Sequence, residues 1–248
     1  MKDRIIEGER ASVILVHGFT GTPSEMEYVG SELNRREGWR VVIPCLPGHC
    51  TTPYDLEKIE RSQWIRKVES VYIEEREKIE KVFIAGLSMG GLITLNLAMK
   101  YRSIPAIVTI SIPMKLKNRV TDSFLKFLAV SGIKPPYHHE KKERDIHFPP
   151  PDLEFDDYRW MPLSAVVELY RLILETKLHL NYVTNPVQIF HSLKDNTAHP
   201  ESAKIIYNRV SSKVKELVYF HDSYHVIPLD IDRECLIRKM INFFKRFL

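Results

Sequence analysis

The sequence has few cysteines and no apolar run long enough to cross a membrane. Its three cysteines, Cys45, Cys50 and Cys235, are odd in number and have no C-x-x-C spacing, so neither a disulfide framework nor a zinc site is favoured. This usage favours a reducing, cytoplasmic location, with a Cys45–Cys50 bridge as the less favoured alternative. The N-terminus is charged and its first apolar run covers only residues 13–16, so we expect neither a secretory signal nor stable membrane insertion.

An excess of charge of one sign is also lacking. The chain has 36 Lys and Arg against 32 Asp and Glu, a formal net charge of +4 at pH 7. Such a small surplus, with no long run of one sign, argues against a nucleic-acid partner. The 248 residues, 44% of them hydrophobic, are enough to bury a sizeable core in one main domain, which we expect to be a monomer or a homodimer.

Strand and helix patterns alternate along most of the chain. Short apolar runs rich in β-branched residues predict buried strands at residues 13–16, 41–43, 82–85, 107–110, 187–190 and 214–220. Helical patterns cover residues 24–36, 62–79, 89–101, 201–210 and 232–247. This alternation predicts an α/β fold, with a mainly parallel sheet and helices on both of its faces.

The alternation is interrupted by an insertion over residues 113–182. About 70 residues separate two predicted strands there, where a crossover of a dozen or so would be enough. Two predicted helices, at 121–130 and 163–178, carry apolar residues that favour a packed cap, whereas the charged, proline-rich middle leaves mobility open for residues 137–157. We therefore predict a core of residues 1–112 and 183–248 and a small cap of residues 113–182.

The sequence Gly86-Leu87-Ser88-Met89-Gly90 follows a predicted strand and precedes a predicted helix. This is the G-x-S-x-G motif in the strand, turn and helix setting of a nucleophile elbow. The sharp turn exposes the serine hydroxyl and tolerates only very small residues two positions before and after it. Ser88 is therefore the candidate nucleophile, and the amide of Met89, at the start of the helix, is a candidate donor to an oxyanion.

A second oxyanion donor is expected from the loop after the first predicted buried strand. That strand leads directly into His17-Gly18-Phe19-Thr20-Gly21, and the amide of Phe19 is the predicted donor. His17 is an alternative base, but a histidine between a strand end and a glycine more often braces its loop through hydrogen bonds. We favour the bracing role.

His225 is the predicted base and Asp195 the predicted acid. Proteins with this elbow present their catalytic residues in the chain order Ser, Asp or Glu, His. Both residues follow predicted strands, and catalytic groups collect beyond the carboxyl ends of parallel strands. His221, at a strand end, is the rival base. Asp222 and Asp230 are rival acids, less favoured because they lie close to His225 in the chain and would have to turn back to reach its ring.

These residues predict acyl transfer through a covalent intermediate. His225 would accept the proton of Ser88 as the hydroxyl attacks an ester carbonyl, and Asp195 would orient the imidazole. The Phe19 and Met89 amides would bind the oxyanion. The predicted partner is a small-molecule ester substrate, and neither a metal ion nor an organic cofactor is required.

The chain resembles the bacterial carboxylesterases that are similar to monoacylglycerol lipases, within the α/β-hydrolase superfamily. The segments that carry the resemblance are HGFTGTP (17–23), PGHC (47–50), AGLSMGG (85–91), IPAIVTISIPM (104–114), KDNTAHPESAKIIYN (194–208) and SYHVIPLD (223–230). The resemblance implies an α/β-hydrolase fold, the Ser88, Asp195 and His225 triad, the Phe19 and Met89 oxyanion hole, and short- to medium-chain acyl esters as substrates.

Two features depart from that pattern. Cys50 occupies the position of a glycine in a P-x-G-H-G loop, and the insertion is more charged and proline-rich than a lipid-binding cap requires.

The predicted function is a serine esterase of the carboxylesterase type. The alternatives are a monoacylglycerol lipase or another acyl hydrolase or transferase, such as a thioesterase or amidase, because one scaffold serves all of these reactions.

Overall fold

The computed structural model describes residues 2–133, 135–140, 145–149 and 158–248. Its strands are β1 (Arg4–Ile6), β2 (Ser12–Val16), β3 (Arg40–Ile43), β4 (Val82–Leu87), β5 (Ile107–Ile110), β6 (His138–Glu140), β7 (Trp160–Pro162), β8 (Val187–Ser192) and β9 (Lys215–Phe220). Its helices are α1 (Ser24–Glu37), α2 (Pro53–Leu56), α3 (Arg61–Lys78), α4 (Met89–Lys100), α5 (Arg119–Ser131), α6 (Leu163–His179), α7 (Glu201–Arg209) and α8 (Arg233–Phe244). Short 3₁₀ turns follow α6 and α8, and a third covers Ile227–Leu229.

A seven-stranded sheet forms the centre of the fold, in the order β1-β3-β2-β4-β5-β8-β9. All pairs are parallel except β1 with β3. The predicted mainly parallel sheet is confirmed, and each of the six predicted strands lies on an observed one. The edge strand β1 was not predicted, because a three-residue, largely exposed strand has no apolar pattern to reveal it.

Helices cover both faces of the sheet, as predicted. One hydrophobic core lies beneath α3, α4, α6 and α7 and includes the buried Trp64. The other lies beneath α1 and α8 and includes Trp39 and Phe83. Burial of the central strands on both faces explains their continuous apolar runs.

The two helices predicted in the insertion are present as α5 and α6. Helix α6 is held to the core by ion pairs from Arg61 of α3 to Glu168, at 2.9 Å, and to Glu175. Asn96 of α4 also donates a hydrogen bond to Thr176, at 2.7 Å. An antiparallel ribbon of β6 and β7 lies between the two helices in sequence. The mobility left open for residues 137–157 falls mostly on residues outside those described.

The prediction that the cysteines remain unpaired was wrong for Cys45 and Cys50, which form a disulfide with their Cα atoms 6.6 Å apart. The chain turns back on itself after β3 through positive φ angles at Gly48 (76°) and Cys50 (59°), which brings the two cysteines together. A count of cysteines carries no information about this turn. Cys235 is a free thiol. Within the described ranges, no helix has the length and apolar character needed to cross a membrane.

Candidate active site

Ser88 occupies a sharp turn between β4 and α4. Its backbone has φ 52° and ψ −112°, a strained conformation for a residue with a side chain. A Cβ atom at Gly86 would lie 2.2 Å from the backbone of Gly90, and a Cβ atom at Gly90 would lie 2.2 Å from the carbonyl oxygen of Val16. The turn therefore requires glycine at both positions. This is the geometry that the G-x-S-x-G spacing predicts.

A cavity of about 310 Å³ lies above Ser88. Both Ser88 and His225 line it, each with 8% of its surface exposed. Most of its wall is apolar, and the insertion contributes Leu125, Val166, Leu169, Tyr170 and Ile173. An apolar cavity beside a small group of polar side chains is the usual form of a small-molecule site.

His225 and Asp195 form a buried pair at the edge of this cavity. Nδ1 of His225 lies 2.8 Å from Oδ2 of Asp195, which is completely buried. The second oxygen of Asp195 accepts hydrogen bonds from the amides of Thr197, at 2.9 Å, and Ala198, at 2.7 Å. These contacts leave Nδ1 of the imidazole protonated and turn Nε2 towards other partners, as a general base requires.

Asp195 and His225 each favour the charged form of the other. Burial alone would raise the pKa of the Asp195 carboxyl, but His225, His191 and the Ala198 amide hold this pKa below its usual value. Burial likewise acts to lower the pKa of His225, but Asp195, with smaller contributions from Asp145 and Glu25, raises this pKa above its usual value. The carboxylates around the ring therefore stabilise the imidazolium form of His225.

The structure does not bring Ser88 and His225 into hydrogen-bond contact. Among the described residues the serine hydroxyl has no hydrogen bond to the imidazole, although both side chains line the same cavity. Catalytic hydrogen bonds are often long in the absence of substrate and tighten when it binds. The nucleophile-to-base contact remains a prediction.

The rival residues are engaged elsewhere. Asp222 is exposed and lies 3.2 Å from Lys194. Asp230 is buried, and its two carboxylate oxygens accept hydrogen bonds from four backbone amides, those of His147, Phe148, Tyr224 and Ile231. His221 is exposed to solvent. Within the described residues, neither rival acid accepts a hydrogen bond from the His225 ring.

His17 is completely buried and braces two loops. Its Nε2 accepts a hydrogen bond from the Leu46 amide at 3.2 Å, so Nδ1 carries the proton and donates to the Gly18 carbonyl at 2.9 Å. Burial lowers the pKa of His17 to about 4. The ring is therefore neutral, and its contacts are those of the bracing role that the sequence favoured.

A second supporting histidine, His49, was not predicted. Its Nε2 accepts a hydrogen bond from the Thr20 amide at 3.1 Å, and its ring stacks on Tyr158 with centroids 6.4 Å apart. Burial, with the neighbouring His17, lowers the pKa of His49 to about 3. The PGHC segment contained a signal, since a histidine beside a turn glycine is well placed to support a loop.

The predicted oxyanion donors are available for a ligand. Among the described residues, neither the Phe19 amide nor the Met89 amide donates a hydrogen bond to a protein acceptor. The neighbouring Gly18 amide, in contrast, is engaged by Glu25 at 2.8 Å. The two free amides flank the cavity above Ser88, because Phe19 lines it and Met89 follows the serine.

Asp145 is a further charged residue at this site, and it too was not predicted. Its carboxylate, that of Asp195 and the His225 ring each place one polar atom within 4.8 Å of the others. The three could offer ligands to a metal ion, but Asp195 and His225 are already joined to each other. Asp145 lies in the charged, proline-rich stretch of the insertion, whose composition gave no sign of a site residue.

Comparisons with known proteins point to one family. The model of the alpha/beta hydrolase family matches residues 13–234. A thermostable monoacylglycerol lipase from Bacillus sp. (strain H-257) is 32% identical over 240 residues, which cover 97% of this chain and 92% of that protein. A carboxylesterase from Bacillus subtilis (strain 168) is 27% identical over 241 residues, covering 97% and 94% of the two chains. A solved structure from work on the metagenome-derived lipolytic enzymes LipS and LipT has 27% sequence identity and a TM-score of 0.89, over 99% of this chain and 97% of that one.

Proposed function

Because this chain belongs to the alpha/beta hydrolase family, we propose that it is a serine carboxylesterase that hydrolyses short- to medium-chain acyl esters through an acyl-enzyme on Ser88. One observation carries the proposal. A buried Asp195–His225 pair opens on the same apolar cavity as a serine held at positive φ. A nucleophile, an oriented base and a binding site for an apolar chain thus meet in one place.

In the proposed reaction the Ser88 hydroxyl attacks the ester carbonyl while Nε2 of His225 takes its proton. The Phe19 and Met89 amides bind the oxyanion of the tetrahedral intermediate. Collapse of this intermediate releases the alcohol, which receives the proton from His225. Water then attacks the acyl-enzyme by the same route and regenerates Ser88.

We propose that the insertion, residues 113–182, acts as a cap that sets the acyl-chain range. Its described residues supply much of the apolar wall of the cavity, from Leu116, which precedes α5, to Ile173 on α6. A volume of about 310 Å³ is at the small end of ligand cavities, which run from about 300 to 1,000 Å³. This size favours short and medium acyl chains over long ones.

The test is an acyl-chain profile with p-nitrophenyl esters from acetate to palmitate, run beside a monoacylglycerol and a thioester. We expect kcat/KM to be highest for a short or medium acyl chain and to be lost in Ser88→Ala. A preference for the monoacylglycerol over simple esters of equal chain length would favour a lipase instead. Turnover of the thioester alone would overturn the esterase assignment.

A cytoplasmic location remains part of the proposal, although the Cys45–Cys50 disulfide removes the argument from cysteine usage. Disulfides are rare in the cytoplasm of mesophiles but occur inside the cells of hyperthermophiles. Alkylation of intact cells of the native host, followed by fractionation and peptide mass mapping, would locate the protein and report the state of both cysteines. Recovery outside the cytoplasm would contradict the proposal.

A further inference from the structure

Asp145 connects the two loops that carry the proposed acid and base. Its Oδ2 accepts hydrogen bonds from the Asn196 amide and the Thr197 hydroxyl, both at 2.9 Å, on the loop that begins with Asp195. Its backbone carbonyl accepts a hydrogen bond from the Val226 amide, at 3.1 Å, on the loop that carries His225. One residue of the insertion therefore fixes the distance between these loops.

The other carboxylate oxygen of Asp145, Oδ1, differs from Oδ2 in its hydrogen bonding. Oδ1 is buried and accepts no hydrogen bond from another described residue. A buried carboxylate oxygen without a donor is costly, so its persistence calls for a compensating interaction. The His225 ring can gain positive charge, and one polar atom of this ring, of Asp145 and of Asp195 each lies within 4.8 Å of the other two.

We propose that Asp145 is a positioning residue that holds the acid loop against the base loop and presents a second carboxylate to the His225 imidazole. This inference rests on the proposed function, since it assigns His225 the role of base. In that role the imidazole becomes positively charged as Ser88 loses its proton. The Asp145 charge then stabilises the imidazolium together with Asp195.

The pKa of His225 agrees in direction with this arrangement. Among the described residues, the titratable groups that act on the ring are Asp195, Asp145, Glu25 and His191. Burial opposes its protonation, whereas the three carboxylates favour it and raise the pKa of His225 above its usual value. Removal of the Asp145 charge should lower this pKa, so that the base becomes neutral at a lower pH.

Asp145→Asn is the informative variant. Both hydrogen bonds to the Asp145 side chain end on the same oxygen, so asparagine can keep them and lose only the charge. The surrounding segment also stays attached, because Asp230 holds the amides of His147 and Phe148. The matched control is Asp222→Asn, which removes an exposed carboxylate paired with Lys194.

The pKa of His225 is measured by NMR titration of histidine-labelled protein, with His225→Gln used to assign the signal. In Asp145→Asn we expect this pKa to fall by about half a pH unit, and the acid limb of the kcat/KM profile to move by the same amount. Asp145→Ala should add a roughly tenfold loss of kcat through misplaced loops. Asp222→Asn should change neither quantity.

The outcomes distinguish the role of Asp145 from the proposed function of the protein. An unchanged His225 titration in Asp145→Asn overturns the role of Asp145, whatever the activity assay gives. Absence of ester turnover by the wild-type protein overturns the proposed function, while the NMR titration still decides whether Asp145 acts on the ring. A purely structural role would lower thermal stability in Asp145→Ala and leave the His225 titration of Asp145→Asn unchanged.

Discussion

The imidazole of His49 accepts a hydrogen bond from the Thr20 amide at 3.1 Å, and the imidazole of His17 accepts one from the Leu46 amide at 3.2 Å. One loop follows β2 and contains His17 and Thr20, and the other follows β3 and contains Leu46 and His49. Each loop donates a backbone amide to the histidine of the other, so the two loops hold each other in place. One of these loops contains Phe19, whose amide is the proposed oxyanion donor. The position of that donor therefore depends on a pair of buried, neutral histidines.

His49→Ala should lower kcat by roughly tenfold to a hundredfold with little change in KM, because a displaced oxyanion donor weakens the transition state more than substrate binding. The pKa of His49, about 3, keeps its ring neutral throughout a normal assay range. The variant should therefore leave the pH profile of kcat/KM unchanged. Steady-state kinetics from pH 5 to 9 check both points, with the exposed His221→Ala as the control.

Loss of the proposed triad should nearly abolish activity. Ser88→Ala and His225→Ala should each cost on the order of 10⁴-fold or more in kcat, and the double variant should cost little more than either single one, because the residues act as a unit. An organophosphate should modify Ser88 alone, as checked by peptide mass mapping. An adduct on a different serine would refute the assignment of the nucleophile.

The identity of the acid is tested by comparing Asp195→Asn with Asp230→Asn. Asp195→Asn should keep the fold and lose on the order of 10³- to 10⁴-fold in kcat, because the imidazole is no longer held in the required tautomer. Asp230→Asn should instead lower the melting temperature, since its carboxylate holds four backbone amides. Differential scanning calorimetry beside the kinetics separates the two effects. A larger kinetic defect in Asp230→Asn would reverse the assignment.

The core of the fold could be predicted from the sequence because its signals are local. Each central strand is buried on both faces and is a continuous apolar run, as at Val82–Leu87. The signal of the elbow is equally local, since both glycines lie within five consecutive residues, although the limit at Gly90 comes from the Val16 carbonyl on β2. These features, with the matched residues 13–234, confirm the predicted α/β-hydrolase fold.

Two features could not be predicted in this way. Asp145 meets Asn196 and Thr197 across some fifty residues, and in the sequence it is one charge among many. The Cys45–Cys50 disulfide depends on a backbone turn, which the number and spacing of cysteines do not describe. The first feature depends on tertiary geometry and the second on a local backbone conformation, and composition encodes neither of them.

Cys50 should contribute to stability in two opposite ways. The disulfide closes a short loop, which predicts a stabilisation of about 2 kcal/mol, whereas the positive φ of 59° strains any residue with a side chain. Cys50→Ser loses the bridge and keeps the strain. Cys50→Gly loses the bridge and relieves the strain, so it should be about 1 kcal/mol more stable than Cys50→Ser.

Urea unfolding of the two Cys50 variants and of the wild-type protein measures this difference. Thiol titration of the denatured, unreduced wild-type protein should find one free thiol, that of Cys235. Three free thiols would mean that the bridge does not form. Equal stability of Cys50→Ser and Cys50→Gly would mean that the strained turn relaxes without cost.

The attachment of the cap helix α6 should depend on pH through Glu168. Burial acts to raise the pKa of this carboxyl, but hydrogen bonds from Arg61, at 2.9 Å, and Arg171, at 2.6 Å, hold it below the usual value of 4.5. A lowered pKa in the folded state means that the pair stabilises the protein fully above the usual value. This stabilisation is lost as the pH falls through the folded-state pKa.

Glu168→Gln should therefore reduce the free energy of unfolding by about 2 kcal/mol at pH 7, because it leaves two partly buried arginines without this carboxylate. The difference from the wild-type protein should shrink steadily as the pH is lowered below 4.5, as followed by urea unfolding at a series of pH values. Glu175→Gln is the matched control, since its carboxylate pairs with the same Arg61 but is 46% exposed, and it should cost less than about 1 kcal/mol. If the free energy of unfolding of Glu168→Gln differs from that of the wild-type protein by the same amount at every pH below 4.5, then packing, and not charge, holds α6 against α3.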